Sequence, residues 1–161
     1  MCAFNSNNPT FTNCTFAWNS ATHGGGICSW NSVSTIRNSI FYFDSALQEI
    51  YKTGGTITIT YSNIMGGYTG EGNITVNPEF VTGGDFHLSA SSPCIDTASP
   101  ANAPATDIDN ELRPHGAGYD MGADEFDGIP APPPSKADLN EDGVVDGLDV
   151  SLFATEFGKI Y

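Results

Sequence analysis

The stretch FTNCTF at residues 11–16 returns as IRNSIF at residues 36–41 and, more loosely, as ITYSNI at residues 59–64. A second stretch, MCAFNS at residues 1–6, matches ICSWNS at residues 27–32. The repeat length is therefore about 23 to 26 residues. Short alternating runs of Thr, Ile and Phe at such a period are typical of a β-solenoid, in which each repeat buries its inner face against its neighbours.

Alternation along these runs predicts which side chains point inward, because successive side chains of a strand lie on opposite faces. Asn13 and Asn38 occupy the same position of the repeat, where an asparagine suits a left-handed corner and can bond to the layer above or below. The run of glycines at residues 24–26 predicts another corner. The residues expected to point inward are Phe11, Phe16, Ile36, Phe41, Ile57, Ile59 and Ile64.

The cysteines also follow the repeat. Cys2 aligns with Cys28, and Cys14 aligns with Ser39. The four cysteines are too sparse for a disulfide framework and lack the spacing of a zinc site. We expect them to be small, stacked, unpaired residues.

With repeats of this kind, the chain resembles the right-handed parallel β-helix proteins of bacterial surfaces, including pectate-lyase-like and polymorphic surface-repeat proteins. The resemblance implies an all-β fold with about four turns of right-handed parallel β-helix in residues 1–127. Met1 stands where an isoleucine follows the Gly-Gly-Gly corner in the repeat. The chain is therefore expected to be the C-terminal part of a longer protein, with the first turns and a signal peptide upstream.

Residues 73–98 and the string TDIDNELRPHGAGYDMGADEF at residues 106–126 resemble the terminal segment of the same β-helix family. The resemblance implies a cap over the last open edge, which a solenoid needs for solubility. The residues expected to form two further inward strands before this cap are Ile74, Val76, Phe80, Phe86 and Leu88.

A single arginine, Arg113, lies among several carboxylates of the expected cap. Two of these carboxylates would suit glycoside hydrolysis. Alternatively, Arg113 bridges several of them and holds an irregular loop in place, and the family resemblance favours this structural role. The carboxylates are Asp107, Asp109, Asp120, Asp124 and Glu125.

A proline-rich linker at residues 128–136 separates the β-helix from the stretch DLNEDGVVDGLD at residues 138–149. Oxygen-bearing side chains stand at positions 1, 3, 5, 9 and 12 of this twelve-residue stretch, with Gly143 at position 6 and a backbone carbonyl at position 7. Such spacing predicts a Ca²⁺ loop, with an acidic solvated tail as the alternative. The predicted ligands are Asp138, Asn140, Asp142, Val144 through its carbonyl, Asp146 and Asp149.

A helical pattern follows the loop and ends near Gly158, so residues 137–161 are expected to form a small loop–helix unit. Residues 137–158 resemble one segment of a type I dockerin, a calcium-binding module that docks on a cohesin. A full dockerin has two such segments, and this chain has one. Calcium ligation is therefore expected, whereas a cohesin-like or other cell-surface partner remains a weaker implication of the resemblance.

Charge excludes one class of partner. The net charge is −14, with 14 acidic and 3 basic residues from Asp96 onward and 5 and 2 before it. Nucleic acid is not an expected partner, because phosphate binding needs clustered Lys and Arg. No apolar run has the length of a membrane span.

Catalytic motifs are scarce. Outward candidates for polysaccharide cleavage are Arg37, Lys52, Asp44 and Glu49, and no basic residue recurs at one position of the repeat beside carboxylates. His23, His87 and His115 are scattered, and no nucleophile motif appears. Three aromatic residues would suit either a sugar-stacking strip or loops that cover the outer face: Trp18, Trp30 and Tyr42.

The sequence therefore predicts an exported β-helix module, extracellular or on a bacterial cell surface, whose calcium-binding tail serves attachment or assembly. The alternative is a fragment of a polysaccharide lyase or glycoside hydrolase that is recruited to a complex through the same tail. In that case a polysaccharide is the expected substrate, and the catalytic residues lie in upstream turns.

Overall fold

The computed structural model describes residues 2–4, 8–81 and 85–128, and within these residues the chain forms nine β-strands and no helix. The strands are β1 (Cys2–Phe4), β2 (Thr10–Thr12), β3 (Thr15–Ala17), β4 (Ile27–Trp30), β5 (Val33–Arg37), β6 (Ile40–Tyr42), β7 (Ile50–Thr53), β8 (Thr56–Thr60) and β9 (Asn63–Ile64). The described part is therefore all-β.

These strands form three parallel sheets with the orders β1-β4-β7, β2-β5-β8 and β3-β6-β9. Each of three successive stretches of chain contributes one strand to every sheet before the next stretch begins. Strands of one sheet are thus separated by a full repeat of sequence, and all their pairings are parallel.

The register of the sheets matches the sequence repeat residue for residue. Cys2 pairs with Cys28, Phe11 with Ile36, and Phe16 with Phe41. In the next layer Ile27 pairs with Ile50, Ile36 with Ile59, and Phe41 with Ile64. The alignment expected from the sequence is confirmed. Its physical basis is that residues stacked in parallel layers share one environment and so favour similar side chains.

A first core cluster lies between the three sheets. Its buried members are Ile27, Ile36, Phe41, Ile57, Ile59 and Ile64, with Phe11 and Phe16 packed against them. The rings of Phe16 and Phe41 stack with centroids 4.7 Å apart and planes 6° from parallel. All seven side chains that alternation placed inward therefore belong to this cluster or pack on it.

Asparagines and glycines form the corners between strands. Asn13 and Asn38 have φ of 50° and 53°, and Asn38 Nδ2 donates to Asn13 Oδ1 at 3.1 Å. At the glycine corner, a Cβ on Gly26 would lie 2.2 Å from Cδ1 of Phe41, so the chain there passes directly over the buried ring. Both expected corners are confirmed.

The edge of the third layer is continued by residues 71–76. Ile64 N–H donates to the carbonyl of Ile74, and Ile74 N–H donates to that of Ser62. Beyond this point the chain makes isolated bridges rather than the two strands expected. Val76 is 51% exposed, so its predicted inward position is wrong; the regular alternation ends with the parallel layers that imposed it.

The expected cap does not sit only at the end of the stack. Residues 94–126 run along its side, against the outer face of β3 and β6. Gly122 N–H donates to the Asn38 carbonyl, and Ala123 N–H donates to Thr15 Oγ1. At this contact a second core cluster packs between the segment and the sheet; its buried members are Ile40, Leu88, Cys94 and Met121. Ile40 is 0% exposed because this segment covers its face of the sheet.

In the part of the chain that the structure describes, no helix is long and apolar enough to cross a membrane. The rest of the expected linker beyond Gly128 and the segment predicted to bind calcium, at residues 137–161, lie outside the described residues.

Candidate functional site

All six predicted calcium ligands lie outside the described residues. Their prediction rests on sequence spacing. Within the described residues, ionisable side chains come together at three places: beside His87, at Asp44 and Glu49, and around Arg113.

His87, Asp109 and Asp124 form a candidate metal centre. Each offers one ligand atom, and these atoms all lie within 4.8 Å of one another. His87 Nε2 lies 2.6 Å from Asp109 Oδ2, and Nδ1 lies 3.2 Å from Asp85 Oδ2. Among the described residues the buried Nδ1 nevertheless has no hydrogen-bond partner, since the 3.2 Å approach to Asp85 is not a hydrogen bond.

The three side chains of this centre are held by local structure. Leu88 N–H donates to Asp124 Oδ2 at 2.7 Å, in the buried layer below His87. Asp109 lies in a turn in which Asp107 Oδ1 accepts hydrogen bonds from the N–H groups of Asp109 and Glu111. Such side chain-to-backbone bonds fix a turn without regular secondary structure.

Electrostatics at this centre favour positive charge. Burial lowers the pKa of His87, but the hydrogen bond to Asp109 and the carboxylates of Asp124 and Asp85 outweigh it and raise the pKa. Burial raises the pKa of Asp124. One imidazole thus faces three carboxylates, so even a protonated His87 leaves the group with excess negative charge.

Asp44 and Glu49 form a buried carboxyl pair under the glycine corner, with the residues 5% and 3% exposed. Asp44 N–H donates to Glu49 Oε1, while Asn19 donates its backbone N–H and its side-chain amide to Asp44 Oδ1. The pKa of Glu49 is raised to about 8, first by burial and then by its hydrogen bond to Asp44 and by the Asp44 charge. The remaining oxygens, Asp44 Oδ2 and Glu49 Oε2, are buried without partners in the described part.

The sequence predicts that Asp44 and Glu49 face outward as catalytic candidates. This prediction is wrong, because the structure buries both side chains. Glu49 borders a cleft of about 290 Å³ that Tyr68 and Met65 also line. The neutral acid form of Glu49 at pH 7 would suit a proton donor. A carboxyl that is 3% exposed cannot meet a polymeric substrate, so the geometry favours a structural role.

Arg113 holds the segment that covers the sheet. Its Nη1 donates to Glu125 Oε2 at 2.7 Å, and its Nη2 donates to the carbonyls of Gly122 and Ala123. The expectation that Arg113 bridges several carboxylates is therefore only partly met. Its planar guanidinium group binds one carboxylate and several backbone carbonyls. These carbonyls need a side-chain donor because the loop forms no regular sheet hydrogen bonds.

The carboxylates of the other acids expected around Arg113 make separate contacts. Asp120 accepts backbone hydrogen bonds from Asp96 and Phe126, both at 2.7 Å. Burial raises the pKa of Asp120 to about 7, although these two hydrogen bonds lower it. Asp109 and Asp124 turn toward His87. Five acids near one arginine in sequence thus divide into distinct groups in space.

An exposed aromatic cluster lies on the outside of the stack. The rings of Trp18 and Phe43 are stacked with centroids 5.5 Å apart and planes 7° from parallel, and Phe80 and Phe86 pack against Trp18. Trp18 is 50% exposed and Phe43 37%. Of the expected sugar-stacking residues, Trp18 belongs to this cluster and Tyr42 touches it through Phe43, while Trp30 is exposed on β4. Phe86, expected inward, is a cluster member instead.

The remaining candidates are dispersed. Lys52 is exposed on β7, and Arg37 is half-buried on β5. His23 is exposed and packs on Tyr51, and His115 is also exposed. Burial raises the pKa of Cys94 to about 11, so this thiol stays protonated and packs as an apolar residue, as expected for the cysteines.

Sequence reasoning missed the grouping of His87 with Asp109 and Asp124. The three residues are 22 and 15 positions apart and belong to no spaced motif. In the sequence the acids are neighbours of Arg113, and His87 is one of three scattered histidines. The fold brings residues 85–88 beside the segment that covers the sheet. This approach places the His87 imidazole among the acids.

Comparison of the chain with protein-family models, with curated proteins and with solved structures finds no significant match.

Proposed function

We propose that this chain is an extracellular or cell-surface module, a right-handed parallel β-helix whose dockerin-like tail binds Ca²⁺ and serves attachment or assembly. The observation that carries the proposal is the layered arrangement of three parallel sheets, in register with a sequence repeat of about 25 residues. Such stacks present long regular surfaces, and contacts between neighbouring layers contribute much of their stability.

The tail supplies the attachment part of the proposal. Asp138, Asn140, Asp142, Asp146 and Asp149 provide side-chain oxygens at alternate positions, and Val144 adds a carbonyl. Ca²⁺ takes six to eight such oxygens, and extracellular modules of this kind work at high calcium concentrations. A cohesin-like or cell-surface protein is the proposed partner.

Titration calorimetry with CaCl₂ on the full chain tests the tail. Asp138→Ala and Asp142→Ala remove carboxylates at loop positions 1 and 5, so each should abolish stoichiometric calcium binding while the unfolding transition of residues 1–127 is kept. Asp127→Asn, an acidic change outside the loop, is the matched control and should bind like the wild type. Calcium binding by Asp138→Ala with unchanged stoichiometry and affinity would sink the assignment.

The rival proposal, a fragment of a polysaccharide-degrading enzyme, is favoured by one observation, the exposed stack of Trp18 and Phe43. Flat aromatic faces of this kind suit sugar rings. Against it, the described carboxyl pair of Asp44 and Glu49 is buried. Incubation of the protein with pectin or alginate, followed by assay of released uronates, decides between the two: release supports the enzyme, and its absence supports the attachment module.

A further inference from the structure

We propose that His87, Asp109 and Asp124 bind one divalent transition-metal ion of the Zn²⁺ or Mn²⁺ type, at a site separate from the calcium-binding tail. The proposal goes beyond the proposed function, because it concerns His87 and two acids of the covering segment (residues 94–126) and not the tail. It rests on the geometry of three donor groups and on the burial of one carboxylate, that of Asp124.

The donors come from separate parts of the chain and converge. Their ligand atoms all lie within 4.8 Å of one another. Zinc–ligand bonds of about 2.0–2.2 Å set ligand atoms of a tetrahedral site roughly 3.3–3.6 Å apart. A shift of less than about 1 Å would therefore bring the three groups to bonding distance around a common ion.

The buried Asp124 carboxylate gives a second, independent indication. The residue is only 4% exposed, and among the described residues its carboxylate accepts one hydrogen bond, from Leu88 N–H to Oδ2. Among the described residues no Lys or Arg forms an ion pair with this carboxylate, although burial of an uncompensated negative charge is costly. A cation held between Asp124, His87 and Asp109 would supply the missing positive charge.

Access and charge fit a small cation. The side chains of His87 and Asp109 are 32% and 47% exposed, so one side of the group is open to solvent while Asp124 forms its floor. Asp85 Oδ2 lies 3.2 Å from His87 Nδ1 and adds a further negative charge beside the imidazole. Water would fill the open positions.

The donor types select the metal. An imidazole nitrogen with two carboxylates suits Zn²⁺, Mn²⁺ and similar ions, whereas Ca²⁺ takes oxygen ligands alone. The two sites of the chain should therefore be separable: calcium should fill the tail and leave the His87 site open for zinc.

Calorimetric titration of the full chain with ZnCl₂, in buffer that already contains saturating CaCl₂, tests the proposal. The wild type should bind one Zn²⁺ per chain under these conditions. His87→Gln should weaken this binding at least about 10–100-fold, the loss seen even for residues that only support a metal ligand. Asp109→Asn changes an exposed side chain and so should keep the fold while it also weakens zinc binding.

His23→Gln is the matched control, because His23 is exposed and lies at the glycine corner, and it should bind zinc like the wild type. Thermal unfolding with and without zinc gives a second measurement: the ion should raise the midpoint of the wild type and of His23→Gln but not of His87→Gln. The proposal is overturned if the wild type binds no zinc in saturating calcium. Equal zinc affinity of His87→Gln and wild type would overturn it as well.

Discussion

Arg113 donates a hydrogen bond from Nη1 to Glu125 Oε2 at 2.7 Å, and both side chains are fully buried. The same guanidinium binds the carbonyls of Gly122 and Ala123, while Glu125 also accepts N–H groups from His115 and Asp120. This pair therefore organises the irregular segment that covers β3 and β6, a task that sheet hydrogen bonds perform elsewhere in the chain.

Arg113→Met should lower the free energy of unfolding by about 3–5 kcal/mol, because it leaves Glu125 buried with an uncompensated charge. Arg113→Lys keeps the charge but removes the planar guanidinium group that reaches two carbonyls. Its decrease in the free energy of unfolding should therefore be intermediate. Urea unfolding monitored by tryptophan fluorescence measures both. Arg37→Met, at a half-buried arginine of β5, is the control and should change stability by less than about 1 kcal/mol. A similarly small change for Arg113→Met would contradict the assigned role.

Asn38→Ala should lower the free energy of unfolding by about 2–4 kcal/mol, because Asn38 is 0% exposed and its amide makes three hydrogen bonds. Nδ2 donates to Asn13 Oδ1 and to the Ser99 carbonyl, and Oδ1 accepts from Ser99 N–H. Asn38→Gly loses the same bonds but tolerates the φ of 53°, so it should be more stable than Asn38→Ala by about 1 kcal/mol. Equal stability of the two variants in urea unfolding would show that the left-handed corner carries no strain.

The layered part of this fold could be predicted from sequence because each layer repeats the environment of the one before it. Phe11, Ile36 and Ile59 stack in register, so a repeat in the sequence is also a contact in space. The corner positions of Asn13 and Asn38 could be predicted for the same reason, because a corner that needs a left-handed residue recurs once per layer.

The covering segment could not be predicted in this way, because its contacts join residues far apart in sequence. Asn13 Nδ2, for instance, donates to the carbonyl of Asp120, 107 positions away. The group around His87 depends on such contacts too. For the calcium loop the sequence gives spacing alone, and its six ligands remain a prediction that the titration of Asp138→Ala tests.

Glu49 predicts an unusual pH dependence of stability. Its pKa is raised to about 8 in the folded chain, above the ordinary value of a glutamate, first by burial and then by Asp44. A raised folded-state pKa contributes stability that is fully present below the ordinary pKa and is lost as pH rises toward 8. Asp120, whose pKa is raised to about 7, acts in the same direction.

The wild type should therefore be more stable at pH 5.5 than at pH 8.5, and Glu49→Gln should remove on the order of 2–3 kcal/mol of that difference. Urea unfolding at both pH values measures it. Glu79→Gln changes an exposed glutamate and serves as the control, with a pH dependence like that of the wild type. A difference between the two pH values as large in Glu49→Gln as in the wild type would refute the role of this residue.

Gly26→Ala should destabilise the fold through steric overlap rather than backbone strain. The new Cβ would lie 2.2 Å from Cδ1 of Phe41, a ring that is 0% exposed and stacked on Phe16. Because overpacking of a dense core costs about 1–3 kcal/mol or more, a loss at the upper end is expected.

A double-mutant cycle isolates the Gly26–Phe41 contact. Phe41→Leu alone should cost about 1–3 kcal/mol, because it loses ring packing in the core. The smaller side chain makes room for the added methyl, so the double variant should be more stable than the sum of the single losses by at least about 1 kcal/mol. Simple additivity of the two losses in urea unfolding would mean that the chain at Gly26 relaxes away from the ring, and that the close approach does not limit which residue this corner accepts.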